Sequence, residues 1–355
     1  MNKSCLIGFL MCSAFSLVVQ AATDGAHITK TISQIERKKG IKRTIQYRPD
    51  GNDFVCVNGK NRYTRALYGG ITDFRIETSD RPVFAAYKPK DSKHICFRLQ
   101  CGNQSIALDS LKFCEARYRA GRRTYRLTDP LLGKGELNIS VLAFPDAEGG
   151  IWRFTMKDMP EGALLHCYIS EIRAKNLSRN GDMGADRADS FDAPQLPKEQ
   201  KHYKLSLDGT TAYIVVEDQE LRLPALVEGT SLYDKSEKWR SEIESSLQIS
   251  TPDPYFNPLG GALAAAADGI WDGKIWLHGA IGWRSQLNGW RAAYIGDFIG
   301  WHDRARTHFD SYAASQVTDV PATIPHPTQD TALHLARSVK KWGTPHYSNG
   351  YICRT

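Results

Sequence analysis

Short apolar runs that alternate with polar residues, each closed by Gly, Asn-Gly or Asp-Gly, fill the chain from Thr44 to Ile249. Side chains change face at every step of a strand, so such runs bury one face only and require a second layer. Phe74 and Ile76 alternate with Arg75 and Glu77, and Trp152, Phe154 and Met156 with Ile151, Arg153 and Thr155. Tyr203, Leu205 and Leu207 lead into Asp208-Gly209, whose tolerance of left-handed backbone suits a two-residue hairpin with Ala212 to Val216 as the returning strand. About a dozen segments of this kind, with hardly any helical periodicity, are most economically buried as two stacked antiparallel sheets. The stretch Asn176 to Lys201 is rich in Asp, Arg, Gly and Pro and reads as a long surface loop.

The pattern changes beyond that β region. Ser231 to Ser246 turns to Lys, Glu, Ser and Trp239, the composition of a short helix or linker, and after Thr251-Pro252-Asp253-Pro254 the signals are helical. Leu259 to Ala267 is Ala-rich and stops at Asp268-Gly269. Asp297 to Val317 carries Phe298, Trp301, Ala305, Phe309 and Tyr312 at helical spacing, an apolar stripe. Between them, Trp276 to Tyr294 reads as a long connection crowded with Trp, Arg, Gly and His, the place to look for chemistry. A chain of 355 residues fits about two domains at roughly 100 to 200 residues each. The expected division is a β-sandwich over 22–230, a linker helix over 231–250 and a helical domain from 251 to 355.

Residues 1–21 read as a removable signal peptide. Lys3 precedes an apolar stretch from Cys5 to Val19 that is too short and interrupted for a membrane span, and Val19-Gln20-Ala21 ends in the small residue of a cleavage site. The expected location is periplasmic or secreted, with no membrane contact after cleavage. Cleavage leaves Cys56, Cys96, Cys101, Cys114, Cys167 and Cys353, which show no CxxC pair and no regular framework; mostly buried free thiols are expected. The 46 Lys and Arg against 39 Asp and Glu leave only +7, too dilute for a nucleic-acid partner without a concentrated basic surface. Arg117, Arg119, Arg122, Arg123 and Arg126 cluster around Ala120-Gly121, and are read as a solvated basic hairpin edge. With no HExxH, no i,i+4 His pair, no GxSxG, no P-loop and no GxGxxG, neither a metal nor a cofactor is expected.

Gly282-Trp283-Arg284 recurs as Gly289-Trp290-Arg291, presenting two indole faces and two guanidinium forks. A pyranose matches both, since its C–H face packs on an aromatic ring and a guanidinium clamps hydroxyls or a uronate. The plainer alternative is that the Trp residues fill a helix seam and the Arg residues pair with acids. Asp297, Trp301, His302, Asp303 and Arg304 follow directly, at the start of the expected second helix. Asp297 and Asp303 are six apart, about 240° around a helix, and make a poor catalytic pair. Asp297 at a helix N-terminus and an Asp303–Arg306 pair are the structural alternatives; if either carboxylate is catalytic it is Asp297.

The residues that carry chemistry also carry a resemblance. The run Asn58-Gly59-Lys60-Asn61-Arg62-Tyr63-Thr64-Arg65-Ala66-Leu67-Tyr68-Gly69, with His278 to Arg284, Gly289 to Tyr294 and Gly300 to Arg306, resembles a secreted family of bacterial glycan-utilisation systems filed as domain of unknown function family 4450. The resemblance spans roughly Asn58 to the end and implies a multidomain chain, β then α: an N-terminal antiparallel β-sandwich followed by the first helices of an (α/α)6 six-hairpin toroid of the glycosidase type. About 100 residues after the linker are too few for twelve helices, so the toroid is expected to be incomplete. The resemblance further implies catalytic carboxylates on later toroid loops, outside this chain. The expectation is the N-terminal part of a glycoside hydrolase-like protein acting on complex polysaccharide or oligosaccharide, with Trp283, Arg284, Trp290, Arg291, Asp297, Trp301 and His302 at one end of the sugar pocket. A non-catalytic carbohydrate-binding sandwich and a polysaccharide lyase on the same toroid are the alternatives.

Overall fold

The computed structural model describes residues 46–88, 92–172, 202–277 and 289–313. The expected signal peptide, the loop from Asn176 to Lys201, Trp283, Arg284 and Cys353 lie outside the described residues. The β region holds fifteen strands among the described residues. They are β1 (Arg48–Asp50), β2 (Asp53–Val57), β3 (Arg65–Tyr68), β4 (Arg75–Thr78), β5 (Phe84–Tyr87), β6 (Lys93–Cys101), β7 (Gln104–Ala107) and β8 (Phe113–Arg119). Then follow β9 (Arg122–Thr128), β10 (Glu136–Ala143), β11 (Gly149–Lys157), β12 (Leu164–Glu171), β13 (His202–Ser206), β14 (Thr211–Glu217) and β15 (Glu220–Arg222). One sheet has the order β1-β2-β8-β9-β10-β11-β14-β15; the other runs β13-β12-β6-β5-β4-β3, with β7 on β6.

The pairing is antiparallel and the two inner faces share one core, so the expected sandwich forms. Phe84 on β5 meets Phe97, Tyr125 and Trp152 edge-to-face with centroids 5.6–5.7 Å apart, joining both sheets through one aromatic cluster. On β8, Cys114, Ala116 and Tyr118 are buried while Glu115, Arg117 and Arg119 are not, the expected alternation. On β4 the alternation fails: Arg75 and Glu77 are as buried as Ile76, because the outer face of that strand is covered too. Their charges are met by a mutual ion pair, and the Arg75 guanidinium lies 3.7 Å above the Tyr87 ring.

Two β expectations are corrected. Asp208-Gly209 does not close a hairpin: β13 and β14 belong to different sheets, and the turn carries the chain across the core. Leu207 is fully buried there and donates its N–H to Ala163 O, a contact that ties the end of β13 inward instead of back along β14. The arginines around Ala120-Gly121 do not form an edge either, since β8 and β9 are interior strands of their sheet. Arg117 pairs with Glu115, Asp50 and Asp53, Arg126 with Glu115 and Glu136, and Arg123 is wholly buried. Cys56, Cys96, Cys101, Cys114 and Cys167 are free thiols. Burial pushes Cys96 up to about 11 and Cys114 up to about 12, which keeps both protonated and unreactive at neutral pH.

Helix α1 (Leu226–Ser245) begins just after Pro224, five residues ahead of the expected linker at 231–250, and lies across the outer face of the first sheet. Little of it is apolar, and it docks by specific contacts. Tyr233 packs with Leu142, Ile151, Tyr213 and Val215, and its hydroxyl is 2.6 Å from Ser140 Oγ. Gly229 sits so close to the Tyr213 ring that a Cβ would fall 2.4 Å from it. Arg119 and Arg122 bridge to Glu244 and Glu237 of α1 at 2.7 and 2.8 Å, so the arginines read as a solvated face are the straps that hold the helix.

Three further helices follow: α2 (Leu259–Asp268), α3 (Gly289–Phe298) and α4 (His302–Ala313). Helix α2 matches the expected Ala-rich segment. Among the described residues, no helix is long and apolar enough to cross a membrane.

Candidate functional site

The helical segment meets the sandwich through Thr72, whose hydroxyl donates to Gly269 O at 2.7 Å directly after α2. Trp271 to Trp276 then makes a tight reversal, with the two Trp residues bridged as antiparallel partners. Asp272 Oδ1 accepts from the backbone N–H groups of Lys274 (2.9 Å) and Ile275 (2.7 Å), an Asx-type turn around Gly273. The sequence Asp272-Gly273 carries that signal in plain sight, and the supposed long connection from Trp276 to Tyr294 is thereby shortened at both ends, since α3 begins at Gly289.

Trp276 is a structural residue. It is 1% exposed, its indole N–H donates to Ala267 O at 3.0 Å, and its own backbone N–H donates to Nδ1 of His308 at 3.1 Å. His308 is therefore an acceptor at Nδ1, and burial holds it neutral, lowering it from 6.5 to about 4. The unfolded chain then binds the extra proton between those two values, so the His308 contribution to stability is complete above pH 6.5 and is lost as pH falls toward 4. His308→Gln, which keeps an acceptor and removes the titration, should flatten the fall in melting temperature across that window. An unchanged slope in the variant would assign the acid sensitivity to other groups.

The expected helix starting at Asp297 is instead two helices. Asp297 lies in the last turn of α3, so it does not cap a helix N-terminus, and Phe298 of the proposed stripe is 91% exposed. Gly300 stops α3 with φ +83°, a left-handed conformation that a side chain disfavours. Trp301 N–H bonds to Gly296 O (2.7 Å) and Gly300 N–H to Asp297 O (3.1 Å), the paired closure of a Schellman turn. A glycine at the end of an apolar run was the sequence signal for this break.

That corner brings three of the expected residues together. Asp297 Oδ1 lies 2.7 Å from His302 Nδ1, and both side chains are about two-thirds exposed (67% and 66%). Trp301 sits beside them, half-buried, on the cluster of Trp276 and Ala305 with Trp271 and Phe309. Trp290 and Arg291 fall in the first turn of α3; their side chains, like the whole of Trp283 and Arg284, lie outside the described residues. Asp303 pairs with Arg306 at 3.4 Å, the structural alternative considered from the sequence.

The sequence reading placed Arg304 beside Trp301 and Asp268 at a helix end but gave neither a role, and it did not single out Trp271. The Arg304 guanidinium is centred 4.4 Å from the Trp301 ring and 5.6 Å from the Trp271 ring, and it reaches Asp268 Oδ1 at 2.7 Å. Burial raises the Asp268 carboxyl above its ordinary value, and the Arg304 hydrogen bond and charge pull it back. An aromatic-stacked arginine and a buried carboxylate 36 positions away give no local signal in the sequence.

A polar pair and an indole thus stand together on a glycine-terminated helical corner in the chain's α part. Residues 89–216 match the model of the family described as Domain of unknown function (DUF4450), the family to which the sequence motifs point. A search of curated proteins finds no match. Solved structures that match include a bacterial glucoamylase complexed with acarbose, at 9% identity and a TM-score of 0.42, over 74% of this chain and 53% of that one. The chain thus spans about half the length of that enzyme.

Proposed function

We propose that this chain is the N-terminal part of a secreted glycoside hydrolase-like protein that acts on complex polysaccharide or oligosaccharide, and that it supplies sugar contacts while the catalytic carboxylates lie elsewhere. The observation that carries the reading is the exposed Asp297–His302 pair beside Trp301, set on a glycine-terminated corner immediately after the Gly-Trp-Arg repeats. Asp297 holds the imidazole by one ring nitrogen and leaves the other for a sugar hydroxyl, and the part of the half-buried Trp301 indole that Arg304 and the Trp276 cluster leave uncovered is the apolar surface for a pyranose. The sequence offers Trp283, Arg284, Trp290 and Arg291 as further platforms and clamps for such a ligand.

Two-carboxylate hydrolysis needs a pair about 5 to 9.5 Å apart across one glycosidic bond. In the helical part, Asp268 meets Arg304, Asp272 meets the Lys274 and Ile275 N–H groups, and Asp303 meets Arg306. Helix α3 also leaves Tyr294, Ile295 and Phe298 exposed, the surface of a layer that packs against further helices, and this supports the toroid reading.

Affinity electrophoresis of the full chain through gels containing single polysaccharides tests the proposal. Retardation by at least one polysaccharide is expected, with Trp301→Ala and His302→Ala each weakening it about tenfold, the loss of roughly 1.4 kcal/mol. Absence of retardation by every polysaccharide, or retardation that both variants leave unchanged, would remove the sugar-contact role.

A further inference from the structure

A second concave site lies away from the Asp297–His302 corner, where the sandwich, α1 and α2 meet. It is a cavity of about 200 Å³. Its walls are Arg65 and Tyr68 of β3, Tyr118 of β8, Trp239 and Arg240 of α1, and Asp268 at the end of α2. Pockets for drug-sized ligands run to roughly 300–1,000 Å³, so this one has room for a single small ring.

Two charged groups in its wall have partners of opposite sign, while the half-buried Arg65 meets a carbonyl and two rings. Arg240 is held by Glu237 and Glu244, each at 2.8 Å, and Asp268 by Arg304 through Oδ1 alone. Asp268 takes the Arg304 N–H on Oδ1, and the half-buried Trp239 lines the cavity with its indole. Arg65 spends Nη1 on the Thr64 carbonyl at 2.6 Å and spreads its guanidinium over the Tyr47 and Tyr118 rings at 5.0 and 5.7 Å. The cavity therefore offers an acceptor, two kinds of donor and three aromatic side chains, with its carboxylate already neutralised by a neighbour.

We infer that this junction cavity is a binding site for one neutral pyranose ring, packed on Trp239 and Tyr68 and hydrogen-bonded by Arg65 and Asp268. The two buried charges in the wall, Arg240 and Asp268, are paired within the protein, and the half-buried Arg65 is the wall cation that would donate to a ligand hydroxyl. Aromatic faces with convergent donors and acceptors suit a molecule that is apolar on its ring faces and hydroxylated at its rim. The site depends on the sandwich and the helices together, as Asp268 and Arg65 come from different parts of the chain. It shares a ligand class with the proposed function and uses none of Asp297, Trp301 and His302, although its Asp268 is held by Arg304, which stacks on Trp301.

The test is saturation-transfer NMR and calorimetry on the full chain with methyl glycosides of glucose, galactose and mannose. At least one should bind in the millimolar range. Ala266 lines the cavity and is exposed, so Ala266→Trp fills the space without disturbing the core and should abolish binding. Trp239→Ala should weaken it about tenfold. Lack of binding by all three glycosides, or binding that survives Ala266→Trp, overturns the inference. If Trp239→Ala fails to fold by near-ultraviolet circular dichroism, Ala266→Trp decides alone. Monosaccharide binding lost in Trp301→Ala but retained in Ala266→Trp would move the site to the helical corner and overturn this one.

Discussion

Asp80→Ala should cost about 3–5 kcal/mol of unfolding free energy, the penalty for breaking a buried pair from one side. Asp80 and Arg123 are both 0% exposed, and Arg123 Nη2 lies 3.8 Å from Asp80 Oδ1. The carboxylate also accepts from the Asn61 backbone N–H (3.0 Å), the Thr64 hydroxyl (3.1 Å) and the Tyr47 hydroxyl. Arg123 donates in turn to Ser79 O (2.8 Å) and to Tyr47 Oη (3.0 Å). Removing the carboxylate leaves a guanidinium in the interior with only neutral oxygens and three donors without their acceptor. Arg123→Met in the same chain should return much of the loss, because the stranded charge goes with it. Urea titration of wild type, the single variant and the double variant decides this. A single-variant loss below about 1 kcal/mol would mean that the network is wet or slack.

The same network explains the motif Asn58 to Gly69. Gly59 packs so tightly on Asp80 that a Cβ would lie 2.5 Å from Oδ2, Asn61 and Thr64 hold the carboxylate, and Asn58 accepts from Arg81 and from the Cys114 N–H. Asn58, Gly59, Asn61 and Thr64 are thus occupied with closing one end of the sandwich around a buried ion pair.

Trp152→Ala should cost a similar amount, about 3–5 kcal/mol, by opening a cavity at the point where the two sheets share aromatic contacts. Trp152 is fully buried and makes edge contacts with Phe84 (5.7 Å) and Phe97 (6.3 Å). Its indole Nε1 is buried with no hydrogen-bond partner among the described residues, so the residue is there for its volume. Trp152→Phe keeps most of that volume and removes an unsatisfied donor; its cost should stay within about 1.5 kcal/mol. Denaturant midpoints for the two variants separate the volume from the N–H. Equal losses would show that the indole nitrogen has a partner after all.

Strand and helix identity were legible wherever one residue's neighbours settle the matter. Cys114, Ala116 and Tyr118 alternate because a strand has period two, and Leu259 to Asp268 is a helix because alanines favour it and Gly269 follows. From the same local information came the β-then-α order, free thiols at five of the cysteines, and Asp297, Trp301 and His302 as neighbours. Partner choice was not legible. Whether β13 pairs with β14 depends on which sheet has a vacancy beside it, and whether Arg119 and Arg122 face water depends on a helix more than a hundred residues further on. Asp268 with Arg304, Asp80 with Arg123 and the cavity walled by Arg65, Trp239 and Asp268 are of the same kind. Periodicity and propensity act over a few residues and leave a mark in sequence, whereas buried charge pairs and cavities are made by segments that only the packed chain brings together.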